Sequence, residues 1–498
     1  MDVSTLGFLI VFLISLVIYY SIPNKLKWIA LLAFSLAFIS TYKIAGLIFV
    51  FASAFSIWMA GLKIEKIDHS DYDKAEIKRK KKCILTLAIL FNVSVLVVLK
   101  YVGFFAGVVL TGGNPFAILI PVGLSYYTLQ AVGYILDLYW GRISAEKSYF
   151  KILLFLCYFP QMIQGPISRY KDLSYELTIK DHTFSARNIK FGVQLMLFGY
   201  FKVLVIGAGA QEFVTNIFYG TSTPYGLSVL LGLILFGIQL YGNFSGGIDI
   251  VRGISECFGV ILPENFKQPF FSKSLSEHWR RWHMTLGSWV KDYLFYPITL
   301  SKPVSKWKKC LKKQVSKKMA NKIPIAVTNV LVFILVGIWH GTGTNYMLWG
   351  LYNGLILAFS ELMADAYVKA TGKLHINTHT WAWSLFAMLR TLFIVSLGRS
   401  TDCAATASGA LNLVGNMFKI GKTNLGIINI SANVVVLFLM SVVILLAVDM
   451  IHEKNISIRE YMERKSFVAQ VLFWTIVIQY VPLFRRLAEI GGFLYAGF

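Results

Sequence analysis

A single histidine, His340, ends an apolar run of the chain that begins at Ile323. No other ionisable residue lies in this run, and the histidine is followed by Gly341, Thr342 and Gly343. An ionisable side chain within a membrane segment is energetically costly and is usually functional. An imidazole removed from water favours its neutral form and can accept the proton of a hydroxyl group. These residues predict general-base chemistry at His340; the alternative is a histidine that only hydrogen-bonds neighbouring helices together.

A second histidine, His283, lies within an aromatic and basic segment that covers residues 265–298. Large apolar side chains recur in this segment at intervals of three and four residues: Trp279, Trp282, Leu286, Trp289, Val290 and Tyr293. The spacing predicts one helix with a wide aromatic face that includes His283, while Arg281 and Asp292 lie elsewhere. We expect this helix at a membrane interface or along a cavity. The alternative for His283 is a hydrogen bond to a backbone carbonyl without a part in catalysis.

Two further segments carry polar residues whose chemistry is less specific. Asn243, Ser245 and Asp249 lie at the end of an apolar run. An acidic residue there could orient a catalytic histidine, bind a cation or mark the cytoplasmic end of a helix. Residues 120–142 contain helix-interrupting and polar side chains at Pro121, Gly123, Ser125, Tyr126, Tyr127, Gln130 and Asp137. For this segment we favour helix packing and anchoring at the membrane interface.

The apolar runs that carry these residues are typical of a protein that crosses a membrane many times. Of the 498 residues, 56% are hydrophobic and only 15% are charged. Segments long enough to span a bilayer are predicted near residues 6–20, 28–42, 45–61, 84–101, 115–136, 191–214, 227–245, 324–340, 345–364, 381–398, 431–451 and 467–485. We therefore predict an all-α, polytopic bundle of about 11 or 12 membrane helices.

We expect this bundle to form a single membrane domain over residues 1–498. Its motif-bearing core covers about 120–364, with N-terminal helices in 1–110 and C-terminal helices in 380–498. The first apolar run lacks both a basic flank and a small-residue cleavage site, which predicts a retained membrane helix. The short apolar run at 152–158 predicts a re-entrant or interfacial element.

The formal net charge of +23 comes from lysines and arginines that cluster between the apolar runs, notably in residues 62–83 and 301–322. Such loops face the cytoplasm and attract anionic lipid headgroups, which places residues 399–430 and the N-terminus outside and residues 452–466 inside. Because no basic stripe with base-stacking side chains is present, we expect no nucleic-acid binding. The five scattered cysteines include no C-x-x-C pair and predict neither a disulfide framework nor a metal site.

The order of these motifs resembles the membrane-bound O-acyltransferase family. The matching downstream residues are the run Trp279-Arg280-Arg281-Trp282-His283, the pair Asp292-Tyr293, and Trp339-His340-Gly341 after an apolar helix. Upstream, PVGLSYYTLQAVGYILDLYWG, FPQMIQGPISRY and YGNFSGGIDI are similar in order and spacing to motifs of the alginate O-acetylase branch. The motifs together span about residues 120–354, and the ordered set is far more specific than any one motif.

This resemblance implies a helical bundle around a funnel through the membrane, with two histidines at its centre. It implies that His340 is the catalytic histidine and that His283 is the second polar position of the same site. Residues that would bind substrate or support the histidines are Trp279, Arg281, Trp282, Asp292, Trp339, Asn243, Ser245 and Asp249.

The resemblance also implies a reaction and its participants. An acyl group, expected to be acetyl, would leave a cytoplasmic thioester such as acetyl coenzyme A and cross the membrane. Its acceptor would be a hydroxyl of a cell-surface polysaccharide, reached through an extracytoplasmic partner of the serine-hydrolase-like type. No bound cofactor or metal is implied, and the expected location is the cytoplasmic membrane of a bacterium.

Four positions depart from the pattern of this branch. The chain has Asn243 where an aspartate is usual, Asn353 where a histidine is usual, and Glu277-His278-Trp279 where Asp-Phe-Trp is usual. Because both central histidines are kept, we retain the activity and leave the acceptor open. One alternative is a teichoic acid D-alanyltransferase, against which the greater length and the upstream motifs argue. Another is a transporter or lipid flippase, but the chain shows no internal repeat.

Overall fold

The computed structural model describes residues 5–42, 44, 46–102 and 121–487. Helices are the only regular secondary structure within these ranges, apart from one isolated β-bridge between Phe266 and Trp282. The predicted all-α fold class is therefore confirmed.

Contacts along the backbone divide the described chain into two compact units. The first unit contains the described residues up to Met196 together with Gly247–Pro263. The second unit contains Leu197–Gly246 and the described residues from Glu264 onward. The prediction of one membrane domain over the whole chain stays a prediction.

The first unit is built largely from helices of the N-terminal half. They are α1 (Leu6–Ser21), α2 (Lys27–Ser40), α3 (Gly46–Asp68), α4 (Lys74–Val97), α5 (Leu124–Tyr139), α6 (Tyr149–Cys157), α7 (Phe159–Gln164), α8 (Tyr170–Ser174) and most of α9 (Ala186–Phe201). The side chains of residues 152–158 are at most 1% exposed. A nine-residue helix is too short to cross a bilayer, so α6 is an element enclosed by protein, as the interrupted apolar run predicts.

The second unit contains the remaining helices. They are α10 (Ala208–Phe218), most of α11 (Leu227–Cys257), α12 (Leu275–Arg281), α13 (Met284–Val290), α14 (Tyr296–Thr299), α15 (Lys302–Leu311), α16 (Lys317–His340), α17 (Thr344–Lys373), α18 (Trp381–Cys403), α19 (Ala407–Met417), α20 (Ala432–Glu453), α21 (Ile458–Glu463) and α22 (Phe467–Leu487). Hydroxyl side chains begin several of them: Ser316 accepts a hydrogen bond from Met319 at the start of α16, and Thr380 from Trp383 at the start of α18.

A tight hairpin of α16 and α17 is the most extensive helix pairing of the second unit. The two helices are joined by only three residues, 341–343. A β-carbon at Gly337 would collide with the carbonyl oxygen of Tyr346, and one at Gly350 with the carbonyl oxygen of Phe333. Glycine therefore lets the two backbones approach closely, as is common between membrane helices. The hairpin places His340 directly at its turn.

Eight helices in the described part of the chain are long and apolar enough to cross a membrane. They are Gly46–Asp68, Lys74–Tyr101, Ala186–Phe218, Leu227–Cys257, Lys317–His340, Thr344–Lys373, Trp381–Cys403 and Ala432–Glu453, and each coincides with a predicted span. The predicted spans near 6–20 and 467–485 form shorter apolar helices. Those near 28–42 and 115–136 form helices of 14 and 16 residues, and residues 115–120 lie outside the described residues. The chain is thus a multi-pass membrane protein.

Candidate active site

His340 is the last residue of α16, and the extended backbone of Gly341 follows it. Its half-buried imidazole lies among indole rings, with ring centroids 4.9 Å from Trp339 and 5.3 Å from Trp349. A β-carbon at Gly341 would collide with the ring of Tyr346. The glycine after the histidine is therefore required for the close packing of the hairpin turn.

The segment that carries His283 differs from the predicted continuous helix. α12 ends at Arg281, Trp282 has an extended backbone with φ −107° and ψ 127°, and α13 begins at Met284. The backbone of Trp282 pairs with that of Phe266 in an antiparallel β-bridge. The prediction of one helix with an unbroken aromatic face is therefore wrong, because a strand-like segment earlier in the chain returns and pairs with the backbone at the break.

His283 itself has a left-handed backbone, with φ 48° and ψ 52°. This region is sparsely populated by residues other than glycine, and such strain is often found at functional sites. A left-handed histidine immediately before α13 also contributes no side-chain cap to that helix. Other residues therefore hold the backbone at position 283 in this conformation.

Asn265 holds this break in place. Its amide oxygen accepts hydrogen bonds from the backbone N–H and the hydroxyl of Thr285, at 3.0 and 2.8 Å, and lies 3.3 Å from Nδ1 of His283. Its backbone oxygen accepts a hydrogen bond from the N–H of Met284 at 2.9 Å. Asn265 is 1% exposed, so this support is shielded from water. Asn265 accepts hydrogen bonds from N–H groups at the start of α13, as the side chain of an N-cap residue does and as His283 does not.

The imidazole of His283 is fully enclosed and neutral. The ring of Phe244 meets it edge-on, with ring centroids 4.9 Å apart and planes at 88°. Burial, and then the charge of the neighbouring His340, lower the pKa of His283 from its ordinary value of 6.5 to about 3. The two histidines that the sequence separates by 56 residues therefore act on each other electrostatically.

Aromatic rings link α12 to His340. The ring of Trp279 lies 5.3 Å from that of Trp349, which in turn lies 5.3 Å from the imidazole of His340. The indole N–H of Trp279 donates a hydrogen bond to the amide oxygen of Asn353 at 3.3 Å, and the amide nitrogen of Asn353 donates to the carbonyl of Trp349 at 2.9 Å. Asn353 thus fixes the indole of Trp279 and is itself held by the backbone of Trp349.

Arg281 and Trp282 lie in the second unit, and their contacts there are with other residues of the protein. Arg281 forms a two-pronged ion pair with Glu453, at 2.6 and 2.9 Å, and a further ion pair with Glu277 at 2.8 Å. Its guanidinium therefore fastens α12 to the end of α20. The ring of Trp282 packs on Phe266 at 5.0 Å.

The other predicted residues are placed as follows. Ser245 donates its hydroxyl hydrogen to the carbonyl of Tyr241 within α11, and the amide of Asn243 packs against Gly207. Asp292 is half-buried in a wider helical turn after α13. Asp249 belongs to the first unit, where it lies 3.6 Å from Arg252. The predicted parts of these four residues in substrate binding or support stay predictions.

Several residues of the second unit were missed by the sequence reasoning. Asn265 and Trp349 lie within segments that were recognised, but nothing in their spacing indicated contact with the histidines. Arg399, which is 5% exposed, follows directly after a predicted span, and its charge next to an apolar run was an available signal. The same signal was available for Lys202 and Asp449, both buried within predicted spans and both in contact with Tyr241.

Among residues 5–42, 44, 46–102 and 121–487, no group of three or more histidine, cysteine, aspartate or glutamate side chains could hold a metal ion.

The chain is similar in sequence to proteins of one enzyme family. The model of the membrane-bound O-acyltransferase family matches residues 142–397, a range that contains both histidines. A probable alginate O-acetylase of Pseudomonas syringae is 28% identical over 433 residues, which cover 85% of this chain and 76% of the relative. A peptidoglycan O-acetyltransferase of Helicobacter pylori is 26% identical over 78% of this chain and 73% of its own length. A teichoic acid D-alanyltransferase of Bacillus subtilis is 30% identical, but over only 47% of this chain and 58% of its own length.

Proposed function

Because the chain belongs to the membrane-bound O-acyltransferase family and is an O-acyltransferase, we propose that it transfers an acetyl group from a cytoplasmic thioester to hydroxyls of a cell-surface polysaccharide. The observation that carries this proposal is the pair of imidazoles, His340 at the hairpin turn and His283 at the helix break, which interact electrostatically in an aromatic setting. The resemblance to O-acetylases over most of the chain favours acetyl over other acyl groups.

In the proposed mechanism His340 is the general base. The hydroxyl oxygen of the acceptor attacks the thioester carbonyl, the carbon–sulfur bond breaks, and the hydroxyl proton passes to the imidazole and then to the departing thiolate. An imidazole in its neutral form can accept this proton through its unprotonated ring nitrogen. A positioned base of this kind contributes roughly 10²- to 10⁴-fold to the rate.

His283 has a supporting part in this proposal. Its low pKa keeps it neutral at physiological pH, so it does not add a charge that would disfavour protonation of His340. Asn265 fixes its ring and thereby the distance between the two imidazoles.

The proposal also assigns the acyl donor and the acceptor to opposite sides of the membrane. Acetyl coenzyme A, or another acyl thioester, would be the cytoplasmic donor. A serine-hydrolase-like protein outside the membrane would supply the hydroxyl that first accepts the acyl group and would then pass this group to the glycan, the final acceptor. We place the enzyme in the cytoplasmic membrane of a bacterium, which is supported by the bacterial sources of its relatives. Basic residues around α15 suit the cytoplasmic side.

The proposal is tested by measuring base-labile acetate on the surface glycans of cells that express the wild-type chain, the His340→Ala variant or neither. Membrane levels of the two proteins are matched by immunoblot. We expect acetate only with the wild type.

Equal acetate in all three strains would overturn the proposal. The same extracts are then examined for ester-linked D-alanine, because the relative from Bacillus subtilis is a D-alanyltransferase. D-alanine that depends on the wild-type chain would keep the enzyme class and replace the acyl group.

A further inference from the structure

Two buried side chains of the second unit have nitrogen atoms without a hydrogen-bond partner among the described residues. Arg399 on α18 is 5% exposed, and its Nε has no partner. His278 on α12 is 4% exposed, and its Nε2 has no partner. Buried polar atoms are nearly always hydrogen-bonded in folded proteins, so such atoms indicate a molecule that binds there.

Both side chains lie against the same indole ring. The guanidinium carbon of Arg399 lies 4.7 Å from the centroid of the Trp282 ring. The imidazole of His278 stacks on this ring, with centroids 5.6 Å apart and planes at 21°. Trp282 directly precedes His283, so the ring that both side chains contact is next to one of the two proposed site histidines in the chain.

The chemistry of the two nitrogen atoms differs. Burial, and then the charge of Arg399, lower the pKa of His278 to about 3, so the imidazole is neutral. Its hydrogen bond with the backbone carbonyl of Pro269 places the proton on Nδ1, which leaves Nε2 as an acceptor. Nε of Arg399 can only donate. The guanidinium of Arg399 also contacts Asp402 at 3.2 Å through another of its nitrogen atoms.

If one group binds both atoms, it must accept a hydrogen bond from Nε of Arg399 and donate one to Nε2 of His278. A hydroxyl does both, whereas the carbonyl oxygen of a thioester can only accept. We propose that Arg399 and His278 form a hydroxyl-binding subsite for the acyl acceptor. This inference rests on the proposed function, since it names the substrate whose hydroxyl the subsite would hold.

The subsite has a consequence for acceptor choice. A phenylalanine at position 278 would keep the ring contact with Trp282 but lack the acceptor atom. The histidine therefore adds a hydrogen-bond requirement that an apolar ring cannot impose, and a polar group so placed discriminates strongly between ligands with and without a hydroxyl.

The test uses inverted membrane vesicles that carry the full-length chain and the endogenous surface polysaccharide, with radiolabelled acetyl coenzyme A as the donor probe. His278→Phe keeps the stacked ring and removes the acceptor nitrogen, whereas His278→Gln restores an acceptor oxygen. Arg399→Met is combined with Asp402→Asn so that no unpaired carboxylate stays buried. Arg390→Met on the same helix is the matched control, because Arg390 is an arginine whose guanidinium donates to the carbonyl of Lys273 at an exposed position.

We expect His278→Phe to lower the maximum rate about 3- to 10-fold and the arginine double variant about 10- to 100-fold, at an unchanged KM for acetyl coenzyme A. Rates are expressed per folded protein from size-exclusion chromatography. His278→Gln should recover most of the rate, and Arg390→Met should equal the wild type.

Three results would overturn the subsite. If His278→Phe keeps the wild-type rate per folded protein, His278 makes only a structural contact with Trp282 and does not bind the acceptor. A raised KM for acetyl coenzyme A would assign the two residues to the donor. If His278→Gln is as slow as His278→Phe, a hydrogen bond to the side chain at position 278 does not account for the rate. If the wild type itself transfers no acetyl group, the proposed function fails first, and the inference falls with it.

Discussion

His340 ends a regular 24-residue membrane helix, whereas His283 lies in a break between two seven-residue helices. The first histidine is positioned by a glycine-rich hairpin whose geometry depends on close backbone packing. The second is positioned by a buried asparagine, Asn265, which lies 18 residues earlier in the chain, and has a strained backbone. One site thus combines a histidine fixed by local structure with a histidine fixed by tertiary contacts. The two should respond differently to mutation.

The largest effect is expected at the histidine of the regular helix. His340→Ala should lower acyl transfer by about 10²- to 10⁴-fold, because the general base is lost, while the protein stays folded and inserted. Transfer of labelled acetyl into membrane polysaccharide measures the rate, and size-exclusion chromatography measures the folded fraction. Loss of insertion with this variant would instead favour the alternative in which His340 fastens helices together.

Asn265→Ala tests whether the function of His283 depends on its contact with Asn265. The variant leaves the N–H and hydroxyl of Thr285 without an acceptor and releases the His283 ring, so we expect a rate loss of up to about 10²-fold. Acyl transfer per folded protein is the measurement. His283→Ala should be at least as severe.

A double-mutant cycle gives the control for this prediction. In a His283→Ala background, Asn265→Ala should have little further effect on the rate, because both changes remove the same arrangement. Asn92→Ala is the matched variant: this asparagine is 3% exposed and hydrogen-bonds Ser56 and Ala88 in the first unit. It should lower stability without changing the rate per folded protein, and independent rate effects of the first two changes would contradict the coupling.

The same contrast explains which features were predictable from the sequence. Membrane helices were found because about 20 consecutive apolar residues are needed to cross a bilayer, and this requirement is local. The hairpin at His340 follows from such a run and from Gly341. The break at Trp282 was not predictable, because apolar spacing alone favours a helix there and the opposing signal is the backbone of Phe266, sixteen residues earlier. Contacts of Asn265, Asn353 and Arg399 depend on tertiary packing that no spacing in the chain reveals.

The backbone difference between the two histidines predicts substitution effects of opposite sign. At position 283, glycine should be more stable than alanine by about 1 kcal/mol, since the left-handed conformation is strained for a residue with a β-carbon. At position 340, glycine should be less stable than alanine by roughly 0.5–1 kcal/mol, because the residue is helical. Thermal unfolding midpoints of the four variants, in one detergent and at one pH, measure both differences. The same sign at both positions would contradict the left-handed assignment of His283.

The smallest effect is expected where the two histidine segments are linked through Trp279. Asn353→Ala removes the acceptor of the indole N–H, a neutral hydrogen bond of 3.3 Å, so we expect a loss of about 0.5 kcal/mol, or roughly two- to threefold in rate. Asn353→His should retain the wild-type rate, because an imidazole nitrogen can accept the same hydrogen bond. Acyl transfer per folded protein distinguishes the two variants. Asn353→Ala could instead lower the rate as much as Asn265→Ala does. Trp279 would then position His340 as strongly as Asn265 positions His283. The contrast between a histidine fixed by local structure and one fixed by tertiary contacts would no longer hold.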